Sequence, residues 1–142
     1  MKMKIEIKPD CASLSDVPKI IKTALKYGFL CGSRKFGISH EKSDYDYIVK
    51  KEDIEDFVDI KALKKYNENS HLPTLAMRVN VDNKSFNILV TLNTDEFTSW
   101  VRSTNQFIEL LRNDIFKEIV LDKDTRVAVF ERLREINGIG NK

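Results

Sequence analysis

Asp44 and Asp46 stand two residues apart in a stretch, 44–50, that otherwise reads as a strand. Tyr45, Tyr47 and Val49 fall on one face, and Asp44, Asp46 and Ile48 on the other. Aspartate is depleted in strands, so two on one short strand need a reason. Strand geometry sends both carboxylates to the same side. Upstream, the short apolar run Phe29-Leu30-Cys31 leads into Gly32-Ser33, and ten residues, 34–43, separate that pair from Asp44. Glycine lets a backbone come close to a phosphate. Ser33 offers a backbone donor and a hydroxyl, and a helix starting there would attract anions at its amino end. Arg34 and Lys35 add cations. Two carboxylates on one face beside a phosphate-binding turn make a hard-oxygen site suited to Mg²⁺ or Mn²⁺, which would neutralise triphosphate charge.

The rest of the chain supplies the scaffold. Met3, Ile5 and Ile7 alternate with charged residues as a short strand. Ser15 or Asp16 opens a helix with Pro18 in its first turn and Ile20, Ile21, Ala24 and Leu25 on one face, stopping near Gly28. Glu52 and Asp53 open a second helix, whose apolar face carries Ile54, Phe57, Val58 and Leu63. Residues 75–81 and 85–92 around Asp82-Asn83-Lys84 read as an antiparallel hairpin. Asn93 or Thr94 caps a helix that runs to about Arg112, with Phe97, Trp100, Val101 and Leu111 on its apolar side. A connection, 114–122, leads to a last helix, 124–136, that faces Val127, Phe130 and Leu133 inward. Strands and helices mix, so the fold class is α/β or α+β.

A length of 142 residues fits a single domain, with a core over about 15–92 and carboxy-terminal helices over about 94–136. A net charge of +2, with both signs interspersed, is not the footprint of a protein that grips long duplex DNA. Two cysteines outside any CxxC pair and two histidines argue against a disulfide framework and a zinc site, and for reduced thiols in a cytoplasm. No apolar run approaches the ~18 residues of a membrane span.

The combination of G-S-R-x-x-G, a spacer and S-D-x-D followed by apolar residues resembles the polymerase-β-like nucleotidyltransferase superfamily. The resemblance covers about 27–92 and implies a minimal nucleotidyltransferase fold, a mixed β-sheet packed by helices with a carboxy-terminal helical pair. It implies that Gly32, Ser33, Arg34, Lys35 and Ser43 bind the nucleoside triphosphate and that Asp44 and Asp46 hold the metal. The run Ser43–Tyr47, the pattern Phe97-Trp100-Ser103-Thr104 and the late Asp124–Val127 with Phe130-Glu131 are also similar to small phage-encoded nucleotidyltransferase-like proteins, which implies a host cytoplasm. The acceptor class stays open between tRNA or another nucleic acid, a protein and a small molecule. Its recognition is left to the last two helices, a partner protein or a homodimer.

One departure stands out. The superfamily's third acid belongs on the second hairpin strand, where this chain has Asn87, an amide without negative charge. Asp82 would replace it only if the turn lay elsewhere. Two readings follow: an enzyme that transfers a nucleoside monophosphate from an NTP, with Asn87 completing the pocket, or an impaired relative that binds a nucleotide, nucleic acid or protein. Arg34 and Lys35 also read as plain surface charges, Tyr45, Tyr47 and Trp100 as core packing, and Arg102 and Thr104 as solvent-facing by default. His40 reads as a loop residue or proton shuttle, His71 as structural, and the tail from Gly138 as frayed.

Overall fold

The computed structural model describes residues 4–39, 41–67, 70 and 72–138; His40, His71 and the tail beyond Gly138 lie outside them. The alternation at 75–91 closes as a hairpin of β5 (Leu75–Val81) and β6 (Lys84–Thr91), paired from Val81↔Lys84 to Leu75↔Val90. Asp82 turns the corner at φ 53°, a left-handed conformation that aspartate adopts more readily than most residues. Its carboxylate accepts the Lys4 amide at 2.9 Å.

The hairpin is part of a six-stranded mixed sheet. β3 (Tyr45–Lys50) runs parallel to β6, and β2 (Phe29–Cys31) pairs antiparallel on the far side of β3. On the other edge of β5 lie β1 (Ile5–Lys8) and the two-residue β4 (Lys64–Lys65), giving the order β1-β5-β6-β3-β2 with β4 beside β5. The period of two then sorts every strand's side chains into two layers. Val49, Met77, Val79, Ile88 and Val90 face α1 (Val17–Tyr27) and α3 (Lys51–Ile54), where Ile20, Ala24 and Ile54 meet them. Cys31, Ile48 and Leu89 face α4 (Thr94–Leu110) and α6 (Lys123–Asn137), which bring Trp100, Phe107 and Phe130. The five-residue α2 (Gly32–Phe36) drops Phe36 onto this aromatic layer, its ring 4.3 Å from Phe107 and 5.7 Å from Phe130. Asn93 caps α4 through the Glu96 amide at 2.9 Å, and Asp122 caps α6 through the Thr125 amide at 3.0 Å.

Two elements differ from the sequence expectation. The helix expected from Glu52 to Leu63 lasts one turn. The Asp59 amide donates to the Cys11 carbonyl at 2.7 Å, and its carboxylate accepts the Lys61 amide at 3.2 Å. The chain thereby breaks into a 3-10 turn, Ile60–Ala62, while still burying Val58 and Leu63. The expected connection at 114–122 instead contains α5 (Asp114–Ile119), capped by Asn113, whose side chain accepts the Phe116 amide at 3.0 Å. No helix among the described residues is long and apolar enough to cross a membrane.

Candidate functional site

Strand pairing sets the site's geometry. Asp46 lies opposite Cys31 on one side and Asn87 on the other, and Asn87 lies opposite Arg78, so one row of side chains crosses four strands. Asp46 shares its face with Ile48, the face that α4 and α6 cover. At the end of β2 the chain bends sharply at Gly32, with φ +72°, and α2 begins. A Cβ at position 32 would lie 2.0 Å from Asp46 Oδ2. The glycine is therefore needed twice, for its backbone angle and for the carboxylate packed against it. The bend and the acidic pair share one cavity, of about 480 Å³, whose wall includes Gly32, Ser33, Ser43, Asp44, Asp46 and Asn87.

Asn87 ties the acids together. Its Nδ2 donates to Asp46 Oδ1 at 3.0 Å and reaches Asp44 Oδ2 at 3.4 Å, while its Oδ1 accepts from Arg78 Nε at 3.2 Å. Arg78 also forms an ion pair with Asp44, Nη2 to Oδ2 at 3.0 Å. Asp82 is engaged by Lys4 at the hairpin turn and does not line the cavity, so it is not the third acid. Burial pushes the Asp46 carboxyl up to about 6; the Asn87 bond opposes this, Asp44 adds to it, and Arg78 and Lys123 oppose it.

The cations expected on the phosphate turn go elsewhere. Arg34 stacks on the Tyr45 ring at 3.9 Å and donates to the carbonyls of Ser43, at 2.8 and 3.1 Å, and Glu41, at 3.1 Å. It fastens the loop before β3 and is not part of the cavity wall. Lys35 lies over the Phe29 ring at 5.4 Å, also outside that wall. Tyr45 stacks on Phe86 at 5.3 Å, and Thr104 is buried, donating to the Trp100 carbonyl at 2.8 Å.

The cavity's cations are Lys42 in the loop before β3, Arg78 on β5, and Lys123, Arg126 and Arg134 on α6, with Glu131 among them; of these only Arg126 and Glu131 fall in a run quoted from the sequence, and there without a role. The α6 residues were detectable in principle. Positions 123, 126, 127, 130, 131 and 134 follow helical spacing, so a charged stripe runs through the apolar face of Val127 and Phe130. Arg78 carried no such signal, because only strand register brings it opposite Asn87.

Both carboxylates converge on one nitrogen, Asn87 Nδ2, so a single hard cation would find two anionic oxygens there and draw its remaining ligands from phosphate and water. Among the described residues no group of three or more His, Cys, Asp or Glu is placed to hold a metal ion, so an ion here would rest on these two carboxylates, one of them already paired with Arg78. Comparison with protein-family models, curated proteins and solved structures finds no match to this chain.

Proposed function

We propose that the chain is a nucleotidyltransferase that binds an NTP in this cavity and passes its nucleoside monophosphate to an acceptor. Asp44 and Asp46 would hold Mg²⁺ or Mn²⁺, and the ion would offset the charge that develops on the phosphates. Ser33 and the amide end of α2 would face the phosphates, and Lys123 and Arg126 would close the opposite wall. The acceptor oxygen would bond to the α-phosphorus as the bond to the pyrophosphate oxygen breaks, and the acceptor's proton would leave to solvent. The observation that carries this reading is the contact between the Gly32 bend and the Asp46 carboxylate, where even a methyl group would not fit.

A second reading has its own support. Arg78, Asn87, Asp44 and Asp46 form a closed network in which a resident guanidinium already neutralises an acid. On that reading the cavity binds a nucleotide, nucleic acid or partner protein without turnover.

Calorimetry with the four NTPs, with and without Mg²⁺, tests both. The first reading expects metal-dependent binding that disappears in Asp44→Ala/Asp46→Ala. No binding at millimolar nucleotide, or binding indifferent to that double variant, would sink it. Labelled NTPs incubated with lysate then separate transfer from simple binding and name the acceptor as tRNA, other nucleic acid, protein or small molecule.

A further inference from the structure

The least explained charge in the molecule is Arg134. It lies on α6, is only 4% exposed, and still lines the cavity. Its guanidinium carbon sits 4.2 Å from the centre of the Trp100 ring and 5.8 Å from that of Tyr66. Among the described residues the guanidinium's one hydrogen bond is from Nη1 to Thr74 Oγ1, at 3.3 Å, and its Nε is buried without an acceptor. Thr74 in turn donates to Glu96 at 2.6 Å, so Glu96 meets the guanidinium only through that hydroxyl, and Glu131 acts on it only through space. No ion pair within 4.0 Å reaches Arg134 among the described residues.

Removing an unpaired guanidinium from water is costly, and stacking on aromatic faces offsets only part of that cost. A buried guanidinium with a single long hydrogen bond and an unpaired Nε, lining a cavity, suits an oxyanion. Lys123 and Arg126 line the same cavity, and Glu131 is the acid beside them on α6, so the wall favours a multiply charged anion over a single carboxylate.

We propose that Arg134 anchors a metal-independent phosphate subsite on the helical wall of the cavity, distinct from the bend at Gly32-Ser33. The phosphate is either the distal end of a bound nucleotide's own tail or a group on a second, phosphorylated substrate. The subsite does not depend on Asp44 and Asp46, so it stands or falls separately from the transferase reading.

Trp100 is the chain's single tryptophan and stacks on Arg134, which makes it a built-in reporter. The wild-type protein is titrated with pyrophosphate and with inorganic phosphate, in chelator and at ionic strength matched with chloride, while Trp100 emission is followed. A saturable response is expected, weakened at least about tenfold, or 1.4 kcal/mol, in Arg134→Met and retained in Asp44→Asn/Asp46→Asn. Nitrogen-15 spectra of the arginine Nε–H groups in wild type provide a second readout that needs no variant to fold: pyrophosphate should shift one resonance, absent from a spectrum of Arg134→Lys. Pre-loading with a non-hydrolysable NTP identifies the source. Loss of the pyrophosphate response assigns the subsite to the nucleotide tail, and an additive response assigns it to a second substrate. The proposal is overturned if wild type shows no saturable change at about 10 mM pyrophosphate, far above the Kd of even a weak specific site. It is equally overturned if folded Arg134→Met responds as wild type does.

Discussion

The two faces of the sheet are built from the same strands and differ in almost everything else. Under α1 and α3 the layer is aliphatic: Ile20, Val49, Ile54, Met77, Val79, Ile88 and Val90 are all at most 1% exposed. Under α4 and α6 the layer is aromatic and carries buried polar groups, Ser99, Ser103, Thr104 and Arg134, and it opens into the cavity beside Asp46. Aliphatic side chains interdigitate to high density at the centre of that face, and the hollow it does carry, a groove of about 570 Å³ beside α1 lined by Ile5, Val17, Ile21 and Val81 among others, holds no carboxylate. Large flat rings at varied angles, with charges kept among them, leave a hollow whose wall must be held by hydrogen bonds. Ser99 donates to the Arg134 carbonyl at 2.8 Å, and the Trp100 indole donates to Thr74 at 3.0 Å. One face therefore carries stability, while the other spends part of it to keep charges out of water.

That contrast is open to direct attack. The largest effect is expected from truncation on the aliphatic face: Ile88→Ala should cost about 2–5 kcal/mol in denaturant unfolding, since a packed layer cannot collapse around the gap. A much smaller loss would show that the face is loosely packed. Gly32→Ala comes next. The left-handed backbone alone costs about 1–2 kcal/mol, and the displaced Asp46 carboxylate adds to it. Gly37→Ala, at φ +76° with nothing within 4 Å of its Cβ, isolates the backbone cost, and the difference between the two melts measures the contact with Asp46.

On the open face the sign should reverse. A carboxyl whose pKa rises from 3.8 in the unfolded chain to about 6 in the fold binds its proton more tightly when folded. Stability should then fall as pH rises from about 4 to about 6 and stay low above that, by up to about 3 kcal/mol. Asp46→Asn should accordingly gain stability at pH 8 and almost none near pH 4, which unfolding at the two pH values would check. Asn87→Asp makes three carboxylates face one another. It should lower the melting temperature without divalent ions and restore it with Mg²⁺, and equal destabilisation with and without Mg²⁺ would argue against a metal there. The smallest effect belongs to Arg78, about half-exposed, whose pair with Asp44 is worth about 1 kcal/mol or less. Arg78→Met should barely alter stability yet tighten Mg²⁺ binding in calorimetry, because it removes the resident cation.

The hairpin, α1, α4 and α6 were legible because each carries its own period, and α4 adds its own cap, Asn93 before Thr94. The helix opened at 51–54 was overestimated because the Asp59 amide, which would continue it, donates instead to the Cys11 carbonyl, distant in sequence. Arg34 looked like a phosphate ligand from its place after Gly32-Ser33, but a guanidinium also stacks on rings and forks onto carbonyls, and Tyr45 and Ser43 were close enough to take it.

By itself the sequence determined which side chains share a face, since the alternation of strands and the 3.6-residue turn of helices are local properties of the backbone. That is why Asp44 and Asp46 could be paired, and why Ile48 could be placed with them. Only the tertiary structure decided what stands opposite. Register between strands far apart in the chain puts Asn87 and Arg78 beside the acids, and the packing of α6 brings Arg134 into the wall of the same cavity. Pairings of this kind are selected by the burial of the whole sheet, and no short window of residues encodes them.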